Sequence, residues 1–254
     1  MRPVSAPRPS APVPAAKRWT EDDSAHFLDR GRFFVPQRER QAAVVAALVP
    51  RLPEATLVVD LCCGEGPLAA AVLAAHPEVE VLGLDGSAAM RAAAEERLAA
   101  HAGRFRTAAC ELLPLRLPDL PPLRAVVSSL ALHHVAHADK PTLYRALRER
   151  LAPGGALVVA DLVAPASDAA RAVAADGWDA AVQAADRAGG AGGAAWRAFE
   201  ESRWNWFRWP DEVDRPAPLA RELDWLREAG FTGVDCVWAD CGHAIFGGWR
   251  PAAG

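Results

Sequence analysis

Apolar residues along this chain occur in two patterns, short continuous runs and runs in which they recur every three or four positions. Continuous runs rich in β-branched residues are typical of strands buried in a parallel sheet. Spaced runs indicate helices with one apolar face. The continuous runs predict strands at 56–61, 79–84, 105–109, 125–129 and 156–162. Helical patterns separate these runs, and this alternation predicts a parallel, doubly wound sheet.

The alternation ends after the fifth predicted strand. Residues 164–215 are rich in Ala and Trp, with a soft glycine segment at 189–193, and we predict a helical lid insertion there. A further helix and two strands at 233–239 and 243–246 follow. The turn between these strands is short, so they must pair antiparallel. We therefore expect an α/β fold whose seven-stranded sheet is mostly parallel, with an antiparallel last strand.

Length and composition limit the classes of protein. The chain has 254 residues, enough for one domain with a full core. Residues 1–18, rich in Pro, Ala and Ser, are expected to form a disordered tail, which leaves 19–254 as a single domain. The net charge of −4 argues against nucleic acid as the main partner, although RNA modification stays open. We expect no membrane association, because no apolar run has the length of a membrane span.

The cysteines indicate a cellular compartment rather than a site. There are five, an odd number, and none forms a Cys-x-x-Cys pair. A disulfide framework or a structural zinc site is therefore not expected, and a reducing cytoplasm fits best.

The first predicted strand leads into a glycine-containing turn that has the character of a ligand site. A strand, a turn with Gly64 and Gly66, and a helix beginning at Pro67 bring backbone N–H groups toward a ligand. Glycine is expected where a Cβ would fill the space that the ligand needs. Asp85 ends the next strand about twenty residues later, the spacing of a carboxylate that bonds a ribose hydroxyl. A nucleoside ligand is predicted; the alternative is that Asp85 only caps the following helix.

The charge around this turn favours one kind of nucleoside. Residues 64–69 formally satisfy G-x-G-x-x-G/A, so a dinucleotide and a nicotinamide-dependent oxidoreductase remain the alternative. Asp60 and Glu65, however, place negative charge where a pyrophosphate would lie. The same charge suits a ligand with an amino group and a sulfonium. We therefore expect a cationic ligand without phosphates.

These motifs resemble those of the class I S-adenosylmethionine-dependent methyltransferases, over roughly residues 33–162 and 217–248. The resemblance rests on the glycine turn at 58–66, the acid motif at 84–90, the fourth-strand motif at 125–135, the turn at 151–155 and the closing helix and hairpin at 225–248. A single such motif is weak, but several in order and correctly spaced are specific. The resemblance implies S-adenosyl-L-methionine as cofactor and methyl transfer to an O, N or C atom of a small molecule by in-line displacement.

The resemblance also implies a set of cofactor-binding residues. They are Arg38, Asp60, Cys62, Gly64, Gly66, Asp85, Gly86, Met90, Cys110, Glu111 and Ser128. Arg38 would pair with the cofactor carboxylate, unless it is a solvated helix charge.

Two departures from the family pattern affect this set. Cys62 stands where glycine is usual, and Ala109 where many members place an adenine-contacting Asp. We therefore expect Glu111 and the backbone near Cys110 to contact the adenine ring in place of this Asp. These departures keep open a non-catalytic cofactor-binding protein of the same fold.

Histidines at two strand ends are the candidate catalytic residues. His133 follows the fourth strand, next to His134, and His243 begins the last strand. A histidine there could act as general base on the methyl acceptor, whereas the alternative for each is a hydrogen-bonded structural role. Adjacent His133 and His134 are not expected to ligate a metal together, and no metal is predicted.

Tryptophans are concentrated in the predicted insertion. Their rings favour an acceptor with an apolar or aromatic part, although they could equally attach a small cap to the sheet. They are Trp178, Trp196, Trp204, Trp206 and Trp209.

Overall fold

The computed structural model describes residues 20–112 and 117–252. The tail predicted at 1–18 lies outside the described residues. The strands are β1 (Leu57–Leu61), β2 (Glu80–Asp85), β3 (Phe105–Ala109), β4 (Leu123–Ser129), β5 (Leu151–Leu162), β6 (Thr232–Asp240) and β7 (His243–Trp249). Each strand falls on a run that the apolar pattern predicted.

Eight α-helices are assigned within the described ranges, and two short 3₁₀ turns lie at Ala99–His101 and Leu132–His134. The helices are α1 (Glu21–Phe34), α2 (Arg38–Leu48), α3 (Pro67–Ala75), α4 (Ala88–Arg97), α5 (Lys140–Arg150), α6 (Asp168–Ala188), α7 (Ala194–Glu201) and α8 (Leu219–Glu228). None of these helices is both long enough and apolar enough to cross a bilayer.

The seven strands form one sheet in the order β3-β2-β1-β4-β5-β7-β6. Strands β1 to β5 pair in parallel, and β7 is antiparallel to both β5 and β6. The predicted fold class, a mostly parallel doubly wound sheet with an antiparallel last strand, is confirmed. The strand order reverses between β1 and β4, so a crevice opens at their carboxyl ends, where ligands of such sheets bind.

The fifth strand is longer than predicted, because the segment expected to be a turn lies within it. Leu151 pairs with Leu123 and Ala156 with Ala125, so residues 152–155 form a bulge. Gly154 has a φ of 79°. A Cβ on Gly155 would lie 2.9 Å from the Arg124 carbonyl oxygen, which explains a glycine in this bulge.

Apolar side chains pack on both faces of the sheet, and a third cluster lies beside it. That cluster joins α6 and α7, which form most of the segment 164–215, to α1 and the end of β5. The indole N–H of Trp178 donates to the Phe34 carbonyl oxygen at 2.7 Å. The insertion therefore has its own small core, which it shares with the first helix.

Candidate active site

A cavity of about 790 Å³ opens at the carboxyl ends of β1 to β4, a volume typical of small-molecule sites. The glycine turn after β1 and the residue stretches after β2 and β3 line one side. The 3₁₀ turn after β4, α1 and the insertion line the other. Predicted cofactor residues that line the cavity are Arg38, Asp60, Cys62, Gly64, Asp85, Gly86, Met90, Cys110 and Glu111. The fold thus brings most of the predicted set together.

The two glycines of the turn have different roles. Gly64 lines the cavity with a φ of 52°, and among described atoms outside its chain neighbours only Met90 Sδ, at 3.9 Å, lies within 4 Å of a Cβ built there. Gly66 is not among the cavity-lining residues. A Cβ on Gly66 would lie 3.1 Å from Leu98 Cδ1 and 3.2 Å from Ala94 Cβ. Gly66 therefore lets the turn before α3 pack closely on the end of α4, and a contact of Gly66 with the cofactor stays a prediction.

Cys62 keeps the backbone conformation that favours glycine. Its φ is 58°, in the left-handed region that L-residues with a Cβ rarely adopt. The residue that departs from the family pattern therefore has a backbone conformation that a glycine would also adopt.

Two acids face the cavity from the ends of β1 and β2, Asp60 fully buried and Asp85 partly buried. Asp60 accepts the Ala69 N–H at 3.0 Å, and burial raises its pKa to about 7. Asp85 accepts the N–H groups of Gly64 and Ser87, each at 2.9 Å, and burial raises its pKa as well. Asp85 therefore holds the glycine turn and the start of α4 while also lining the cavity. A cation bound here would favour the ionised form of both acids.

Arg38 and Glu65 form an ion pair at the rim of the cavity. Arg38 Nη1 donates to Glu65 Oε1 at 2.7 Å, and Arg97 Nη2 donates to Oε2 at 2.5 Å. Burial works against ionisation of Glu65, but the two guanidinium groups hold its pKa below the usual value. The expectation that Glu65 adds negative charge for a ligand is corrected, because this charge is already balanced. Arg38 is largely buried and lines the cavity, so it is not a solvated helix charge.

The residues predicted beside adenine lie after β2 and β3. A Cβ on Gly86 would lie 3.4 Å from Glu111 Oε1, so the Glu111 side chain extends toward Gly86 and not away from the cavity. Cys110 and Met90 line the same region.

Ser128, by contrast, does not line the cavity in the part of the chain that the structure describes. Its hydroxyl donates to the Leu61 carbonyl oxygen at 2.8 Å, between β4 and β1. Ser129 and Leu130 line the cavity at this point. A cofactor contact of Ser128 stays a prediction, and within the described residues the cavity surface at this end of β4 is formed by its neighbours.

His133 lies at the far side of the cavity, in the 3₁₀ turn after β4, and its ring is fixed by Asp161 at the end of β5. Asp161 Oδ1 lies 2.5 Å from His133 Nδ1, and Oδ2 accepts the His133 backbone N–H at 2.9 Å. Burial by itself would lower the pKa of His133, but Asp161 and Asp214 outweigh it and raise the pKa to about 10. Sequence reasoning missed Asp161, although a charged residue near the end of a buried strand was the available signal.

Asp214 approaches the same turn from the insertion. Its Oδ1 lies 3.1 Å from His134 Nδ1 and 3.5 Å from His133 Nε2. Burial opposes ionisation of Asp214, but the two imidazoles hold its pKa well below the usual range. The three side chains offer ligand atoms within 4.8 Å of one another. The structure therefore brings a third group from a distant segment beside the two adjacent histidines, a cluster that the sequence did not predict.

His243 does not line the cavity among the described residues. It is fully buried, its ring packs edge-on against Trp178, and its Nδ1 lies 2.9 Å from the Cys241 carbonyl oxygen. Burial lowers the pKa of His243 to about 4. His243 thus packs against Trp178, which itself lines the cavity, and a catalytic role of His243 stays a prediction that this placement does not favour.

Aromatic rings of α1 and the insertion form the apolar walls. Trp178, Trp204 and Phe27 line the cavity, and the rings of Phe27 and Trp204 are 5.9 Å apart. The rings of Trp196 and Trp206 pack on Phe199 and Phe207 instead. Most of the five tryptophans therefore hold the insertion together, as the alternative interpretation proposed.

The first helix also closes part of the cavity. Glu21 accepts the Ser87 hydroxyl at 2.7 Å and the Ala88 N–H at 3.0 Å, which attaches α1 to the start of α4. The structure thus places this helix beside the site, with Glu21 and Phe27 in the cavity lining.

Comparison with known proteins gives a consistent family. Residues 58–155 match the family model described as a methyltransferase domain. A trans-aconitate 2-methyltransferase of Methylobacterium radiotolerans is 38% identical over 200 residues, which cover 77% of this chain and 69% of that protein. A protein of the same name from Methylobacterium nodulans is 39% identical over 137 residues, 54% of this chain and 48% of that one.

Solved structures agree on the fold. An O-methyltransferase family protein from Burkholderia thailandensis superposes with a TM-score of 0.61 at 19% identity, over 92% of this chain and 61% of that chain. A likeness at this identity establishes the fold alone.

Proposed function

The chain belongs to the class I S-adenosylmethionine-dependent methyltransferases, and from this membership we propose that it methylates a carboxylate oxygen of a small molecule. The membership rests on the relative that is 38% identical over 69% of its length and on the matching family model. It confirms the predicted family, with S-adenosyl-L-methionine as cofactor, and sets aside the nicotinamide-dependent alternative.

The residues on the glycine-turn side of the cavity fit this cofactor. Gly64 leaves open space, and the cavity-lining acids Asp60 and Asp85 favour a cationic ligand. When bound, the cofactor supplies a methyl group on a positively charged sulfur. We assign Asp60 and Gly64 to its methionine end and Asp85 to the ribose hydroxyls. Glu111 then lies beside adenine.

One observation supports the carboxylate acceptor above all. The Asp214 carboxylate already lies against His133 and His134 at the far side of the cavity. Charge-assisted contacts of the kind that hold this carboxylate can also hold the carboxylate of an acceptor at the same turn. Several relatives are named for trans-aconitate, which is itself a polycarboxylate.

Methyl transfer to a carboxylate oxygen requires mainly that the protein align the acceptor with the methyl group of the cofactor. A carboxylate oxygen carries its own electron pair, so a C–O bond forms as the methyl–sulfur bond breaks, and no proton has to be removed. The chain would contribute orientation by His133 and His134, and exclusion of water by Phe27, Trp178 and Trp204.

The experiment is product analysis with the purified full chain, S-adenosylmethionine and trans-aconitate. We expect a monomethyl ester in the mass spectrum, formed at the same rate as S-adenosylhomocysteine. His133→Gln should lower kcat/KM at least about tenfold while the Kd of S-adenosylhomocysteine changes less than twofold. Absence of ester with a panel of small carboxylic acids, by protein that binds the cofactor, would contradict the proposal.

A hydroxyl acceptor is the second candidate, and the contact between His133 and Asp161 favours it. Asp161 fixes the ring, and the neutral form of His133 would take the proton of a hydroxyl group at Nε2, so activity toward a hydroxyl should rise with pH toward about 10. The aromatic walls would then hold an acceptor with an apolar or aromatic part. A methyl ether formed from a phenol that lacks a carboxylate would favour this candidate over the first.

A further inference from the structure

We propose that His133, His134 and Asp214 bind one divalent transition-metal ion at the acceptor side of the cavity. The proposal concerns ion binding and stands on the geometry of these three side chains. It rests on the proposed function only for what the ion would do there, which is to hold the oxygen atoms of the acceptor.

The spacing of the donor atoms fits a single ion. Asp214 Oδ1 lies 3.1 Å from His134 Nδ1 and 3.5 Å from His133 Nε2, and the ligand atoms of the three residues lie within 4.8 Å of one another. Ligands bonded to an ion at about 2.0–2.2 Å stand roughly 3.0–3.5 Å apart in tetrahedral or octahedral geometry. A small movement of one imidazole would complete the set.

The surroundings of His133 are those of a metal-binding histidine. Its Nδ1 lies against the buried carboxylate of Asp161, which directs Nε2 toward Asp214. Ligating histidines nearly always hold a carboxylate, carbonyl or water on the second ring nitrogen, because this fixes ring orientation. Asp161 is in turn held by the N–H groups of His133 and Leu162, each at 2.9 Å.

The loop that carries Asp214 is fixed to the same turn. Arg215 N–H donates to the His133 carbonyl oxygen at 2.7 Å. Asp211 Oδ1 accepts the N–H groups of Val213 and Asp214 at 2.8 and 2.9 Å. The third ligand is therefore positioned by backbone contacts and does not depend on a long flexible side chain.

Charge and ligand type indicate which ion would bind. Asp161 and Asp214 flank the histidines, so a divalent cation would offset carboxylate charge at this turn. Two imidazoles and one carboxylate suit Zn²⁺, Co²⁺ or Fe²⁺, whereas Mg²⁺ and Ca²⁺ prefer oxygen ligands. Positions facing the cavity stay open to acceptor oxygens, which the ion would bind as a Lewis acid.

Calorimetric titration of chelator-treated full chain with Zn²⁺ tests the site, with Co²⁺ absorption as a second readout. We expect one Zn²⁺ to bind per chain. With Co²⁺ in place of Zn²⁺, we expect visible absorption bands typical of an ion with a low coordination number. Asp214→Asn and His134→Gln should each weaken binding at least tenfold. Asp139→Asn is the matched control, since it removes an acid from the same cavity outside the cluster, and should bind Zn²⁺ as the parent does.

Two results would overturn the inference. One is an absence of stoichiometric binding to the parent protein, which would leave the three side chains as an ion-pair cluster only. The other is equal affinity in Asp214→Asn and Asp139→Asn. S-adenosylhomocysteine binding within twofold of the parent shows that each variant is folded.

The metal titration contains no acceptor, so its outcome is separate from the proposed reaction. One Zn²⁺ per chain without any ester from trans-aconitate would support the metal site and contradict the carboxylate acceptor. Ester formed at an unchanged rate by chain that binds no metal would support the acceptor and overturn the metal site.

Discussion

Asp161 contacts His133 twice, through the ring Nδ1 at 2.5 Å and through the backbone N–H at 2.9 Å. Both residues are buried, and they come from the ends of neighbouring strands, β5 and β4. The orientation of the imidazole is thus set by the sheet before any ligand enters. Any role of His133, whether toward an acceptor or a metal ion, depends on this contact.

Asp161→Asn should therefore impair both activity and stability. Removing one partner of a buried ion pair leaves the other charge uncompensated, so we expect the free energy of unfolding to fall by about 3 kcal/mol. We also expect kcat to fall at least about tenfold. Urea denaturation and steady-state kinetics measure the two effects. Asp224→Asn, at an exposed pair with Arg227, is the control and should change stability by less than about 0.5 kcal/mol.

Cys62 has a positive φ, so the backbone there predicts opposite effects for two substitutions. Cys62→Gly should raise the free energy of unfolding by about 1 kcal/mol, because a left-handed residue with a Cβ costs roughly that amount. Cys62→Val should lower it by about 2 kcal/mol, since β-branching adds to the strain. Thermal or urea unfolding distinguishes them. Cys236→Gly in β6 is the comparison and should destabilise; a stabilising effect there would argue against backbone strain as the cause.

Substitution of Gly64 should mainly weaken ligand binding, whereas substitution of Gly66 should mainly lower the free energy of unfolding. Gly64→Ala introduces a Cβ at the cavity surface, so we expect at least tenfold weaker S-adenosylhomocysteine binding with a stability loss of about 1 kcal/mol. Gly66→Ala forces a Cβ against α4, and we expect a loss of about 2 kcal/mol or more. Calorimetry and urea unfolding on both variants provide the comparison. Equal effects on binding would mean that Gly66 also contacts the ligand.

The pKa of Asp60 predicts how stability depends on pH. Burial raises this pKa from 3.8 to about 7 in the folded chain. The folded state then holds a proton that the unfolded state has lost, so stability falls as pH rises from about 4 to about 7. The slope from this group is up to about 1.4 kcal/mol per pH unit. Urea unfolding at several pH values measures it.

Asp60→Asn should remove this contribution, so its stability should fall less, or rise more, than that of the parent between about pH 4 and 7. Asp85, whose pKa burial raises, and His243, whose pKa burial lowers to about 4, contribute slopes of opposite sign in both proteins. Parallel pH profiles of the parent and Asp60→Asn would show that Asp60 is not the group responsible. A cationic cofactor should bind the parent more tightly as pH rises through 7, because Asp60 then ionises.

The sequence alone determined the strands, most of the helices and the position of the glycine turn. Apolar periodicity reports which residues a strand or helix buries, and glycine and proline mark local backbone geometry, so both are visible in one stretch of chain. The motifs around Gly64 and Asp85 were therefore sufficient to predict the fold class, the family and its cofactor.

Only the tertiary structure decided what each residue of the site contacts. Asp161 and Asp214 contact His133 although they lie 28 and 81 positions away from it in the sequence. A local sequence pattern carries no information about contacts between such distant residues. The packing of Gly66 on α4 and of His243 on Trp178 likewise joins residues that are distant in sequence. Periodicity fixes which side of an element is buried, whereas the neighbour that buries it is set by how distant elements pack.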